Sequence, residues 1–133
     1  MDATTVMEWV EHYERAWRDD DVTAVERLFT PEAHYLRSPY EPPLVGWQAI
    51  RDFWSDDTPF TMQAEPVAVA PPVAVVRAEV RYGGDEPQEY RDLWVLRFAD
   101  DGRVEHFEEW AYWPGRGYTE SSPGTPDPTA DEA

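Results

Sequence analysis

Three side chains that can carry out acid–base chemistry lie in one stretch of the chain, residues 90–113. Asp92, His106 and Glu108 stand there among aromatic residues, in a segment whose polar and apolar positions otherwise alternate as in a β-hairpin. A carboxylate accepts a proton, and a carboxyl or an imidazolium donates one, so the group has the components of general acid–base catalysis. The hypothesis requires that all three side chains point to the same side of the hairpin.

The turn between the two strands sets which residues share a face. The sequence "ADDGR" predicts a three-residue loop with Gly102 in the left-handed conformation, which places Ala99 opposite Arg103. A regular ladder then predicts three pairs: Leu96 with His106, Trp94 with Glu108, and Asp92 with Trp110. One face receives Tyr90, Asp92, Trp94, Leu96, Val104, His106, Glu108 and Trp110. A shift of one residue would exchange the faces of a strand, so the predicted site depends on this register.

In this register Asp92 and Glu108 are diagonal neighbours, with β-carbons about 7–8 Å apart or less. Two carboxylates in a poorly hydrated aromatic site do not both ionise freely, so one is expected to keep its proton towards neutral pH. We predict that one of them is the base and that His106 shuttles the proton. Two structural alternatives remain open. Glu108 pairs with His106 or an arginine, or an inward-facing Arg37 pairs with one of the carboxylates and removes the raised pKa.

The charge of the chain limits its partners. There are 28 acidic and 11 basic residues, a formal net charge of −17, which repels nucleic acid and anionic membrane surfaces. A neutral or cationic ligand is easier to accommodate, although the acidic residues also simply confer solubility. The chain has no cysteine, so disulfides and thiolate metal sites are excluded. The acidic first residues do not resemble a signal peptide, and we expect a cytoplasmic protein.

Helical and strand patterns succeed one another along the chain. A first helix is predicted with one buried stripe of five residues: Val6, Trp9, Val10, Tyr13 and Trp17. Asp20 or Asp21 is expected to cap a short second helix, and a third begins near Gly46. A short strand is expected at 33–37, with His34 facing outward, and four β-rich runs follow: Phe60–Ala70, Val73–Tyr82, Gln88–Phe98 and Arg103–Trp113. We predict an α+β fold with an antiparallel sheet for residues 1–113, and a disordered tail for 114–133.

The order of these elements resembles the nuclear transport factor 2-like superfamily and its SnoaL-like branch. The resemblance rests on three segments: "YERAWRDDDVTAVERLFTPEAHY" at 13–35, "GWQAIRDFW" at 46–54 and "LWVLRFADDGRVEHFEEW" at 93–110. It implies a cone-shaped curved antiparallel sheet wrapped around three N-terminal helices, with a small and mostly apolar molecule held at the open end. The superfamily includes polyketide cyclases, ketosteroid isomerases, scytalone dehydratase, limonene epoxide hydrolase and binding domains without catalysis.

The positions of catalytic residues in these enzymes match this sequence only in part. Tyr13 corresponds to the tyrosine on the first helix of ketosteroid isomerases, but their base position falls on Arg37 or Ser38 and their acid position on Trp94. The chain therefore looks unlike a ketosteroid isomerase. Asp92, Arg37 and Glu108 imitate the Asp–Arg–Asp arrangement of limonene epoxide hydrolase loosely. The acid and histidine of SnoaL-like cyclases have counterparts of suitable type in Asp92, Glu108 and His106.

These considerations predict a site of four catalytic residues, Asp92, His106, Glu108 and Tyr13, with Tyr13 donating a hydrogen bond to a developing oxyanion. Its walls are predicted to be Trp17, Tyr35, Arg37, Trp54, Tyr90, Trp94 and Trp110. We expect a cofactor-free and metal-free isomerase, cyclase, dehydratase or epoxide hydrolase acting on a small hydrophobic metabolite, or alternatively a non-catalytic ligand-binding or dimeric accessory protein. The opposite sheet face, with Leu93, Val95, Phe107 and Trp113 among charges, is expected to form a homodimer.

Overall fold

The computed structural model describes residues 1–54, 59–83 and 88–114. Helix α1 spans Ala3–Arg18, a 3₁₀ turn at Val22–Ala24 leads into α2 at Val25–Leu28, and α3 spans Trp47–Phe53. Apart from Pro114, the predicted tail lies outside the described residues. Within the described ranges, no helix combines the length and the apolar composition that a membrane span requires.

The predicted stripe of helix α1 faces the interior. Its buried residues recur at the spacing of one helical face: Val6, Trp9, Val10, Tyr13 and Ala16. Asp2 caps the helix, because its Oδ1 accepts hydrogen bonds from the backbone N–H and the hydroxyl of Thr5 at 2.9 and 3.0 Å. Asp21 caps the 3₁₀ turn by accepting from the Thr23 N–H at 3.1 Å, as one of the two predicted caps.

Six strands form one curved sheet that does not close. They are β1 at Phe29–Leu36, β2 at Leu44–Val45, β3 at Phe60–Ala70, β4 at Val73–Tyr82, β5 at Gln88–Phe98 and β6 at Val104–Tyr112, arranged in the order β2-β1-β6-β5-β4-β3. All neighbours are antiparallel except β1 and β6, which are parallel. The α+β prediction with a cone-shaped sheet is confirmed, and this one parallel pair makes the sheet mixed.

Aromatic rings pack between α1 and part of the concave face of the sheet. The rings of Tyr35 and Phe107 are stacked with centroids 4.5 Å apart, and those of Trp9 and Tyr13 are stacked at 5.3 Å. Phe107 is fully buried and its ring also lies 5.4 Å from that of Trp94. Strands β1, β5 and β6 therefore meet the first helix through one continuous aromatic cluster.

The loop between β5 and β6 has the predicted form, but the strands beyond it do not follow the predicted register. Gly102 has φ +88°, and the Ala99 N–H donates to the carbonyl of Arg103 at 2.7 Å. Phe98 pairs with Val104 as expected, whereas Arg97 pairs with His106. Glu105 is therefore an extra residue in β6, a β-bulge that the loop sequence does not reveal.

This bulge exchanges the two faces of β6 relative to the prediction. The observed pairs are Leu96 with Phe107, Trp94 with Glu109, and Asp92 with Ala111. The predicted pairs of Leu96 with His106, Trp94 with Glu108 and Asp92 with Trp110 are wrong. The physical reason is burial, because the bulge places the apolar ring of Phe107 in the core, where the regular register would place the imidazole of His106.

Candidate active site

A cavity of about 540 Å³ opens between α1 and the concave face of the sheet. Half of its lining residues in the described part of the chain are aromatic, and they come from α1, α3 and all the long strands. Five of the residues predicted as walls line it: Trp17, Tyr35, Arg37, Tyr90 and Trp94. Trp54 instead lies in the core at 2% exposure, with its ring 5.4 Å from that of Tyr13.

Two carboxyl groups line the same wall of this cavity. Asp92 on β5 is 3% exposed, and Glu109 on β6 is half-buried because its end faces the cavity. Glu109 pairs across the strands with Trp94, two residues from Asp92, so the two carboxyls are diagonal neighbours within hydrogen-bonding reach. We call these two groups the carboxyl pair.

Few donors stabilise a charge on the carboxyl pair. The Trp94 indole N–H donates to Asp92 Oδ2 at 3.4 Å, a long hydrogen bond. Asp92 Oδ1 is buried, and within the described ranges no amide, hydroxyl or basic group donates to it. A proton on the neighbouring Glu109 carboxyl would provide a donor for Asp92, so this environment favours one proton held between the two groups.

The electrostatics favour the same protonation state. Burial raises the pKa of Asp92 above its ordinary value, and the contacts with Glu109 and Trp94 oppose this rise. Burial raises the pKa of Glu109 well above its ordinary value, and the hydrogen bond and the charge of Asp92 raise it further. Both directions favour the proton on Glu109 and the negative charge on Asp92. The pair has the residue types that the sequence predicted, with Glu109 in the place of Glu108.

Two tyrosine hydroxyls lie next to the carboxyl pair. Tyr13 and Tyr35 line the cavity, and their hydroxyl oxygens are 2.7 Å apart. Burial raises the pKa of both tyrosines well above the ordinary value. Both hydroxyls stay neutral, so Tyr13 is suited to the predicted role of hydrogen-bond donor.

The structure places three predicted site residues outside the cavity. His106, Glu108 and Trp110 lie on the side of the sheet away from α1, which we call the convex face, because the bulge at Glu105 turns them outward. His106 Nε2 is 3.2 Å from Glu108 Oε1, and the Trp110 indole N–H donates to Glu108 Oε2 at 2.5 Å. Of the roles predicted for Glu108, the structure shows the structural one, in which it pairs with His106.

Arg37 does not neutralise the carboxyl pair. Its guanidinium forms an ion pair with Glu41 at 3.0 Å and lies 5.4 Å above the centre of the Phe53 ring, at the edge of the cavity. The alternative in which Arg37 pairs with Asp92 or Glu108 is therefore wrong for the described contacts. His34 is exposed on β1, as predicted, and its ring lies 6.4 Å from that of His106.

Glu109 is the functional candidate that the sequence prediction missed. Its strand has two adjacent glutamates, and alternation places one of them on each face whatever the register. The signal that identifies Glu109 is Phe107, since the most apolar residue of this strand belongs in the core and Glu109 shares its face. Among residues 1–54, 59–83 and 88–114, no three histidine or acidic side chains gather as a metal site would require.

Comparison with known proteins agrees with this fold. No curated protein matches the sequence. The epoxide hydrolase/cyclase-like enzyme SalBIII, described in pyran ring formation in the polyether salinomycin, is similar with a TM-score of 0.72 at 16% identity, over 86% of this chain and 94% of that chain. A ketosteroid isomerase-like protein from Erwinia carotovora atroseptica SCRI1043 is similar with a TM-score of 0.64 at 19% identity, over 84% and 97% of the two chains.

These structural similarities, at such low identity, establish the fold alone. The sequence itself provides the family, because residues 10–107 match the SnoaL-like domain. This match runs from the middle of α1 into β6 and includes most of the chain. The protein belongs to the SnoaL-like domain family of the nuclear transport factor 2-like superfamily.

Proposed function

We propose that the protein binds a small, largely apolar molecule in the cavity and catalyses a cofactor-free acid–base reaction on it. Isomerisation, cyclisation, dehydration and epoxide opening all need a base and an acid positioned together in a site with little water. The observation that carries the proposal is the carboxyl pair, Asp92 and Glu109, set in the aromatic wall of a cavity whose volume lies within the range of about 300–1,000 Å³ usual for small-molecule sites.

The two carboxyls have different roles in this reaction. Asp92, the ionised member, accepts a proton from the substrate, and Glu109 delivers its proton to an oxygen that gains negative charge. The Tyr13 hydroxyl stabilises that oxygen by a hydrogen bond, and Tyr35 holds the Tyr13 hydroxyl in place at 2.7 Å. Glu109 replaces Glu108 in the predicted set, and the proton shuttle assigned to His106 is not needed.

The comparisons support this reaction class. The fold is similar to that of a structure described as an epoxide hydrolase/cyclase-like enzyme in pyran ring formation. Ring closure by attack of a hydroxyl on an epoxide requires a base for the hydroxyl and an acid for the epoxide oxygen. The carboxyl pair supplies both groups on one wall, without a cofactor.

The titration of the carboxyl pair tests the proposal. Carbon-detected NMR of the side-chain carboxyls is expected to show that Glu109 titrates well above, and Asp92 above, the ordinary range near pH 4. Glu108, the neighbour of Glu109 on the convex face, serves as the internal control for a glutamate outside the cavity. If Asp92 and Glu109 both titrate in the ordinary range, acid–base catalysis is wrong and the ligand-binding alternative is favoured.

We also propose that two copies of the chain associate through the convex face. Phe107 and Trp113, which were predicted for this face, lie instead in the core and at the cavity. Leu93, Trp110 and Tyr112 are each about 40% exposed on the convex face, and Leu93 lies directly opposite Trp110 on the neighbouring strand. Positive and negative side chains flank this apolar strip, including the ion pair of Arg97 and Glu105 at 3.0 Å. A self-complementary contact needs such a mixture of apolar centre and alternating charge.

Sedimentation equilibrium is expected to give twice the 15.4 kDa mass of the chain at micromolar concentration. Leu93→Arg should shift the protein to the monomer, because it places a cation in the centre of the apolar strip. Tyr40→Ser, at a residue that is 96% exposed and outside the strands, is the matched control and should leave the dimer intact. A wild-type protein that sediments only as a 15.4 kDa species would contradict the proposal.

A further inference from the structure

Among the described residues, no cation of the cavity lining balances the negative charge of the carboxyl pair. All 11 basic residues of the chain are arginines, so no lysine can reach the site. Within the described part of the chain, Arg37 is the one basic residue of the cavity lining, and it is paired with Glu41. A buried carboxylate without a counter-ion is unfavourable, and a positively charged ligand would remove that cost.

The walls of the cavity suit the same kind of ligand. The aromatic rings of Tyr13, Trp17, Tyr90 and Trp94 line it together with the carboxyl pair. The face of an aromatic ring carries partial negative charge and attracts an organic cation, and the attraction is strongest where water is excluded. Rings around a carboxylate are a recognised arrangement for holding an alkylammonium group.

Charge outside the cavity acts in the same direction. The whole chain has a formal net charge of −17. Such a field raises the local concentration of cations and repels anions. An anionic substrate would meet repulsion both on approach and at the carboxyl pair.

We propose that the molecule held in the cavity is a small organic cation, a protonated amine or a quaternary ammonium compound, whose nitrogen lies among the aromatic rings and faces Asp92 and Glu109. This inference rests on the proposed function and names the substrate class of the same cavity. It explains why no arginine of the described segments pairs with the two carboxyls, since the ligand itself provides the counter-charge.

The test compares choline with 3,3-dimethylbutan-1-ol, which has the same shape but a carbon atom in place of the charged nitrogen. Binding is followed by NMR of the Trp94 indole N–H, which donates to Asp92. The ionic strength is about 0.15 M, where charges more than about 8 Å away are screened. We expect choline to bind at least about tenfold more tightly than the alcohol. The double variant Asp92→Asn/Glu109→Gln should lose this preference, and Glu108→Gln should keep it.

The outcomes separate this inference from the proposed function. If the alcohol binds as tightly as choline, the cation inference is overturned while a cavity for small neutral molecules stands. If neither compound shifts the Trp94 signal, the cation inference is overturned, while the proposed reaction is decided by the titration of the carboxyl pair. If the double variant keeps the preference for choline, the cation binds outside the cavity and the inference fails. If the double variant does not fold, the affinities of the wild type for choline and for the alcohol still test the cation inference.

Discussion

Replacing Phe107 with alanine is expected to lower the free energy of unfolding by about 3–5 kcal/mol, the usual cost of removing a buried phenylalanine ring. Phe107 is fully buried and stacks on Tyr35 with the two rings 4.5 Å apart. Its ring also lies between those of Trp9 and Trp94, so the cavity left behind cannot collapse easily. Urea unfolding monitored by tryptophan fluorescence measures the loss, which is a large part of the stability of a typical domain.

His106→Ala is the matched control, because His106 precedes Phe107 and would occupy the core in a regular hairpin. On the convex face it contacts Glu108 at 3.2 Å, so its removal should cost less than about 1 kcal/mol. The pair of variants therefore tests the bulge at Glu105 directly. A larger loss for His106→Ala than for Phe107→Ala would mean that the regular register is correct and that Glu108 faces the cavity.

The sequence predicted the fold because its strongest patterns are repeated along whole elements. The helical spacing in α1 and the succession of β-rich runs can be recognised even when the predicted boundary of an element is wrong by one residue. The loop before Arg103 was also predictable, because a glycine at the left-handed position is a local requirement that Gly102 meets with φ +88°.

The candidate site was predictable in kind but not in all its residues. Asp92 and Tyr13 lie where the alternation of β5 and the stripe of α1 placed them. Glu109 was missed because one extra residue, Glu105, exchanges the faces of β6, and a bulge has no sequence signature in that loop. Weighing the burial of Phe107 against that of His106 would have selected the observed register, since an imidazole is the more costly group to bury.

Replacing Glu109 with glutamine is expected to stabilise the folded protein at neutral pH, although it removes a proposed catalytic group. Burial and the adjacent Asp92 raise the pKa of Glu109 well above its ordinary value, so the folded state must either take up a proton or bury a second negative charge. Glutamine has the same shape, carries no charge and can still donate to Asp92. The expected gain at pH 7 is on the order of 1–3 kcal/mol, the range found for buried polar groups that are poorly satisfied.

The pH dependence of this gain follows from the direction of the pKa change. The unfolded-state pKa of a glutamate is about 4.3, and that of Glu109 in the folded state is higher. Between these two values the folded wild type binds more protons than the unfolded chain, so the stabilisation from protonated Glu109 is complete below pH ~4.3 and is lost as pH rises through the folded-state pKa. The advantage of Glu109→Gln should therefore grow with pH in this window and vanish below it.

The carboxylates outside the cavity whose pKa values are lowered do not obscure this comparison. Hydrogen bonds from Thr5, Thr23 and Arg103 lower the pKa values of three carboxylates, those of the helix caps Asp2 and Asp21 and of the loop residue Asp101. These carboxylates stabilise the fold above their unfolded-state pKa of about 3.9 and lose that effect only on further acidification, equally in wild type and variant.

Glu108→Gln provides the second control, because Glu108 is next in sequence but lies on the convex face beside His106 and Trp110. It should give no gain in stability that grows with pH. If Glu109→Gln instead destabilises the protein equally at pH 5 and pH 8, Glu109 holds no extra proton and cannot be the acid of the proposed reaction. If Glu109→Gln gains stability but loses turnover, the carboxyl pair lowers the stability of the folded protein and is needed for the reaction.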